Sequence, residues 1–124
     1  MTDLAPNSGL DLLLDLDGTT LVIDSQGRHW VKFAVRRVPY SLERPHGLSY
    51  SLTLHDSDGQ RLMGFDNAHA VTERKGLSRI TRIEHDHKHK DNAIKHYEYT
   101  DAETLLADFW AEVDRELKRR GITP

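Results

Sequence analysis

Apolar and polar residues alternate most sharply between residues 29 and 66. In HWVKFAVRRV (29–38), Val31, Phe33, Val35 and Arg37 fall on one side, with Trp30, Lys32, Ala34 and Arg36 on the other. A period of two in β-branched and aromatic residues predicts a strand, which Pro39 ends. YSLERPHG (40–47) reads as a loop. LSYSLTLHD follows with Leu48, Tyr50, Leu52 and Leu54 facing one way and Ser49, Ser51 and Thr53 the other. Asp58-Gly59 predicts a tight turn, and RLMGFD (61–66) returns as the partner strand. Upstream, Leu10–Leu16 and Thr19–Asp24 flank Asp17-Gly18, a second hairpin signal, and Ser25-Gln26-Gly27 marks another turn. Residues 1–9 read as a flexible N-terminal tail.

Residues 66–92 carry no sustained apolar face and read as a long basic loop ending in a strand over Ile80–His89; IKHYEY (94–99) is a short final strand. A helix comes last. Thr100-Asp101-Ala102-Glu103 has the form of a capping box with Thr100 at its head, and Leu105, Leu106, Phe109, Trp110, Val113 and Leu117 make one apolar stripe. Acids sit early and Lys118, Arg119 and Arg120 late, as the helix dipole favours, with Gly121 as the stop. The expected architecture is α+β: an antiparallel β-sheet built from consecutive hairpins, packed against one C-terminal α-helix, in a single domain over residues 10–121. Trp30, Phe109 and Trp110 are expected in its core.

Composition sharpens this picture at three points. A chain of 124 residues can bury one core. No apolar run approaches the ~20 residues of a membrane span, no signal-peptide pattern opens the chain, and there is no cysteine. A cytoplasmic protein is therefore expected, with no disulfide or thiolate metal site. The net charge of −3 is uneven: residues 28–90 hold 12 Lys/Arg against 7 Asp/Glu, whereas residues 1–27 hold five Asp and no base. A positive middle segment carrying most of the eight histidines suits an anionic partner.

LLLDLDGTT (12–20) resembles the opening of haloacid dehalogenase-like phosphotransferases, in which a first aspartate attacks phosphorus and a second handles protons. That chemistry needs a crossover helix after the strand and further parallel strands. LVIDSQGRHW reads instead as strand, turn and strand, so Asp15 and Asp17 are assigned to a turn.

The densest chemical constellation is FDNAH (65–69) with HDHKH (85–89). In an extended conformation His85, His87 and His89 share one face, with Asp86 and Lys88 opposite. Two or three imidazoles completed by Asp66 or His69 would make a zinc-type ligand set. The same residues, with Asp86 and Asn67, also suit metal-free cleavage of RNA by its own 2′-hydroxyl. Imidazole and imidazolium can supply base and acid, and Lys88, Arg82 or Arg79, with His85 beside them, the cation that binds phosphate. Tyr97 and Tyr99 could stack a base, although core packing competes for at least one of them.

HWVKFAVRRVP, PHGLSYSLTLHD, RLMGFDNAH, DHKH and YEYTDAETLLADFW together resemble the TumE-like toxins of bacterial toxin–antitoxin pairs, from about Leu12 to Leu117. The Asp66-Asn67 pair, the Asp86-His87-x-His89 cluster and the aromatic strand leading into the helix carry most of the resemblance. It implies a small growth-inhibiting ribonuclease, held in check by a cognate helix-turn-helix antitoxin, with RNA as substrate and no cofactor. Two other classes remain open on the residues alone: a metal-dependent hydrolase or nuclease using zinc or another divalent ion at the histidines, and a non-enzymatic module that binds protein or nucleic acid.

Overall fold

Strict alternation has its usual consequence in the two best-patterned segments. A computed structural model describes residues 8–41, 46–67, 71–75, 78–82, 86–90 and 93–124, the strands inside 71–82 by backbone alone. Strands β2 (Trp30–Arg37) and β3 (Leu48–His55) pair antiparallel, Phe33 opposite Leu52 and Val35 opposite Tyr50. Their apolar sides are buried and the opposite side is polar and more open. A turn whose Asp56 carboxylate accepts from the amides of Asp58 and Gln60 leads into β4 (Arg61–Asp66). The predicted hairpin at Asp58-Gly59 is thus present, and Gly59 takes the positive φ that such turns require.

The principal sheet has six antiparallel strands in the order β1-β2-β3-β4-β7-β8, with β1 at Thr20–Val22, β7 at His87–Lys90 and β8 at Ala93–His96. Helix α2 (Ala102–Arg119) covers one face, so the α+β architecture of consecutive hairpins and a C-terminal helix is the one observed. Phe109 is fully buried, set edge-on against Phe33 at 5.7 Å and Phe65 at 6.1 Å between ring centres.

Four expectations are corrected. Leu10–Leu16 is not a hairpin arm: Leu10–Asp15 is a short helix, α1, because Leu10, Leu13 and Leu14 recur at helical spacing and only that geometry turns all three toward the core. Gly9 begins it with a φ of +81°, and a Cβ there would lie 2.9 Å from the Glu103 backbone nitrogen, so docking of α1 against the start of α2 requires glycine. The cap of α2 is Asp101, whose carboxylate accepts from the Thr104 amide at 2.8 Å; Thr100 stands one residue outside. Residues 66–92 are not one loop closed by a strand over Ile80–His89. They hold a separate two-stranded hairpin, β5 (Val71–Lys75) with β6 (Ser78–Arg82), before β7 begins. The final strand stops at His96 rather than running through Tyr99.

Two packing expectations also change. Trp110 is 38 % exposed, lying over Phe33 and Phe109 at the rim of the core. Trp30 sits half-buried on the other face of the sheet, stacked on His55 at 6.0 Å. The buried stripe of α2 contains Glu112 and Glu116, which apolar patterning does not reveal.

Asp15 is the last residue of α1 rather than part of a turn, and Asp17 lies in the turn between α1 and β1, so helix precedes strand, the reverse of the order a phosphotransferase nucleophile needs. Asp15 is exposed, and Asp17 accepts from the Val35 amide at 2.8 Å, fastening the end of α1 to β2.

Candidate functional site

The sequence HKHK in β7 separates two tasks by its period of two. Register pairs Asp66 with His87, Phe65 with Lys88 and Gly64 with His89. Phe65 and Lys88 therefore face α2, while Asp66, His87 and His89 share the opposite face. On the helix side Lys88 is ion-paired to Glu112, and its ammonium lies 6.0 Å from the centre of the Phe65 ring. Lys90 Nζ stands 3.6 Å from the same carboxylate, and Arg115 approaches it at 3.3 Å. Burial alone would raise the Glu112 carboxyl, but hydrogen bonds from Lys88 and Arg115 and the charges of both lysines bring it down to about 2.

On the other face the carboxylate of Asp66 lies between two imidazoles. Oδ2 is 3.0 Å from His89 Nε2, and Oδ1 is 3.4 Å from His87 Nδ1. A carboxylate only accepts, so the ring nitrogen facing it carries the hydrogen in each case. The ring centres are 6.1 Å apart. His87 is the more enclosed, its side chain 6 % exposed against 16 % for His89 and 20 % for Asp66.

The neighbouring residues of the expected site have other partners. Asn67 continues the sheet with its side chain: Oδ1 accepts from the Tyr50 amide at 2.9 Å and Nδ2 donates to the Leu48 carbonyl at 2.6 Å. Asp86 points toward the core, where it accepts from the Tyr50 hydroxyl at 2.5 Å. Burial, then the adjacent Asp86 carboxylate, pushes that hydroxyl far above the usual phenol range, so it remains a donor. Tyr97 packs edge-on against Phe65 at 4.9 Å and donates to Asp108 at 2.7 Å; burial and Asp108 push its hydroxyl up as well. Tyr99 is buried against Tyr50 and His46. The structure thus brings together Asp66, His87 and His89, and directs Asn67, Asp86, Lys88 and Tyr97 elsewhere. His69 and His85 lie outside the described residues, as do the side chains of Arg79 and Arg82.

Among the described residues no three His, Asp or Glu side chains form a metal-ligand group. A second Asp–His pair, Asp24 with His29 Nδ1 at 2.8 Å, went unnoticed in the sequence. Asp24 also accepts from the amides of Arg28 and His29, so this pair closes the Ser25–Gly27 turn.

Arg61 is a further residue that sequence reasoning passed over. A Cβ built on Gly64 would lie 3.5 Å from Arg61 Cδ and 3.0 Å from Thr53 Cγ2, so the arginine stem lies beside Gly64, whose register partner is His89. Only its position just after the Asp58-Gly59 turn, at the start of a strand, signals it in the sequence; the bulge between Leu54 and His55 beside it is visible only in the structure.

Among known families, the model described as Toxin TumE matches residues 16–117. No curated protein and no solved structure matches the chain. No helix among the described residues is long and apolar enough to cross a membrane.

Proposed function

The chain belongs to the TumE toxin family and is the toxin of a toxin–antitoxin pair with an antitoxin partner; on that premise we propose that it arrests growth by cleaving RNA at Asp66, His87 and His89. The observation that carries this reading is the single carboxylate set between two imidazoles on the sheet face away from α2. His89, the more open ring, takes the proton of a ribose 2′-hydroxyl. The 2′-oxygen attacks phosphorus, and the 5′-oxygen leaves with a proton from the His87 imidazolium. The products are a 2′,3′-cyclic phosphate and a 5′-hydroxyl. Asp66 orients both rings and stabilises whichever is cationic, the part a carboxylate plays behind a catalytic histidine. A spacing of 6.1 Å lets two rings address opposite sides of one phosphodiester. The antitoxin is proposed to be of the helix-turn-helix type, as the sequence resemblance implies.

Induction of the chain alone, and together with the neighbouring antitoxin gene, tests this reading. Growth arrest with fragmented total RNA, reversed by co-expression, is the expected result. Arrest with intact RNA would reject the ribonuclease assignment. Activity should vary with pH across about 5–8, the span over which imidazoles generally change charge. It should survive EDTA. Loss in EDTA with recovery on adding Zn²⁺ or Mn²⁺ would turn the same histidines into metal ligands.

A further inference from the structure

A cleft of about 390 Å³ lies at the end of the sheet, where the start of β4, the end of β7, the start of β8 and the C-terminus of α2 meet. Gln60, Arg61, His89, Lys90 and Arg120 line it, and among the described residues no Asp or Glu does. We propose that this cleft binds a phosphate of the RNA backbone, with Arg61 as its principal ligand. The proposal rests on the ribonuclease reading of the adjacent cluster and names the subsite that would hold the substrate.

Three observations support it. First, His89 belongs to both the Asp66 cluster and the wall of the cleft, so an anion bound there lies beside the ring assigned to proton transfer. Second, the cations differ in how they are held. The Lys90 ammonium lies 3.6 Å from Glu112, and Arg120 is fastened by its Nε to Glu116 Oε2 at 2.9 Å, which leaves its two terminal nitrogens for another acceptor. Arg61 is exposed, with no carboxylate partner among the described residues. Third, the Arg61 stem lies beside Gly64, which has no side chain to displace it and whose register partner is His89. A planar guanidinium donates two parallel hydrogen bonds to a phosphate, and a second and third cation nearby stabilise the charge that builds on its oxygens during attack. Lys88, the cation expected from the sequence, is ion-paired to Glu112 and does not line the cleft.

The test is NMR titration of the full chain, first with inorganic phosphate and then with a 2′-O-methyl oligoribonucleotide, which binds but offers no attacking hydroxyl. Expected is saturable movement of the His89 ring signals and of the Arg61 and Lys90 amides, with the oligonucleotide displacing phosphate. Arg61→Gln should weaken both ligands about tenfold, the scale of one lost charged hydrogen bond. Gln60→Glu removes no side-chain contact and places a carboxylate in the cleft, so it should weaken them too and keeps the test decisive if Arg61→Gln misfolds. Absence of saturable binding, or equal binding by both variants, would overturn the site. Unchanged RNA binding with a weakened antitoxin complex would overturn it as well, reassigning the cleft to a protein partner. Wild-type binding lost in the variants, without any cleavage of ordinary RNA, would retain the subsite and reject the chemistry instead.

Discussion

Phe109 and Trp110 are adjacent in one apolar stripe, yet they do unequal work. Phe109 is fully buried between two rings of the sheet, so Phe109→Ala should cost about 3–5 kcal/mol in urea unfolding. Trp110 lies at the rim, and Trp110→Ala should cost clearly less; equal losses would mean that the stripe is packed more deeply than described. Asn67 presents a different case, since its side chain satisfies a buried amide and carbonyl of β3. Asn67→Ala should therefore destabilise by about 1–3 kcal/mol for each orphaned group. If the residue is structural, activity in the folded fraction should persist; a stable but inactive Asn67→Ala protein would restore it to the chemistry. At this scale the sequence was most legible in the alternation of His and Lys along β7, because a period of two fixes faces wherever a strand forms. It was least legible for Glu112 and Glu116. Both look like surface positions on a charged helix. Glu116 is paired with Arg119 and Arg120 of its own helix, as an exposed acid would be. The lysines that cover Glu112, Lys88 and Lys90, lie on a distant strand.

Between elements, the contact of α2 with β7 depends on that carboxylate. With the folded Glu112 carboxyl held near 2 against an ordinary value of 4.5, its charge contributes stability that is fully present above pH 4.5. The contribution fades as pH falls toward about 2. Denaturation midpoints measured from pH 7 to 2 should show an acid loss on the order of 1–3 kcal/mol in the wild type, beyond that of Glu112→Gln. Parallel pH curves for the two proteins would show that the pair contributes nothing. The strands β2, β3 and β4 could be read from sequence because each carries an unbroken apolar face. Helix α1 was hidden by its length: six residues of LDLLLD satisfy a strand almost as well as a helix, and the following Asp-Gly suggested a hairpin. The β5–β6 pair, VTERK and SRITR, has no apolar face to announce it.

Across the whole molecule, Asp11, Asp15, Asp17 and Asp24 lie in or beside α1 and β1, while the Asp66–His87–His89 cluster and the cationic cleft gather toward the opposite edge of the sheet. The histidine cluster could be located in the sequence, because HDHKH stands out in any context. Its carboxylate partner could not be singled out, since Asp66 meets β7 only through the register of β4, across an inserted hairpin. Asp86, adjacent in sequence, points the wrong way for the same alternation that aligns the histidines. The most direct measurement is cleavage of a labelled RNA by the purified chain in EDTA, with the product ends identified. Wild type should yield 2′,3′-cyclic phosphates. His87→Ala and His89→Ala, with thermal unfolding showing both folded, should each cleave at least about 10²-fold more slowly. Wild-type rates in both variants would contradict the assignment of the chemistry to this cluster.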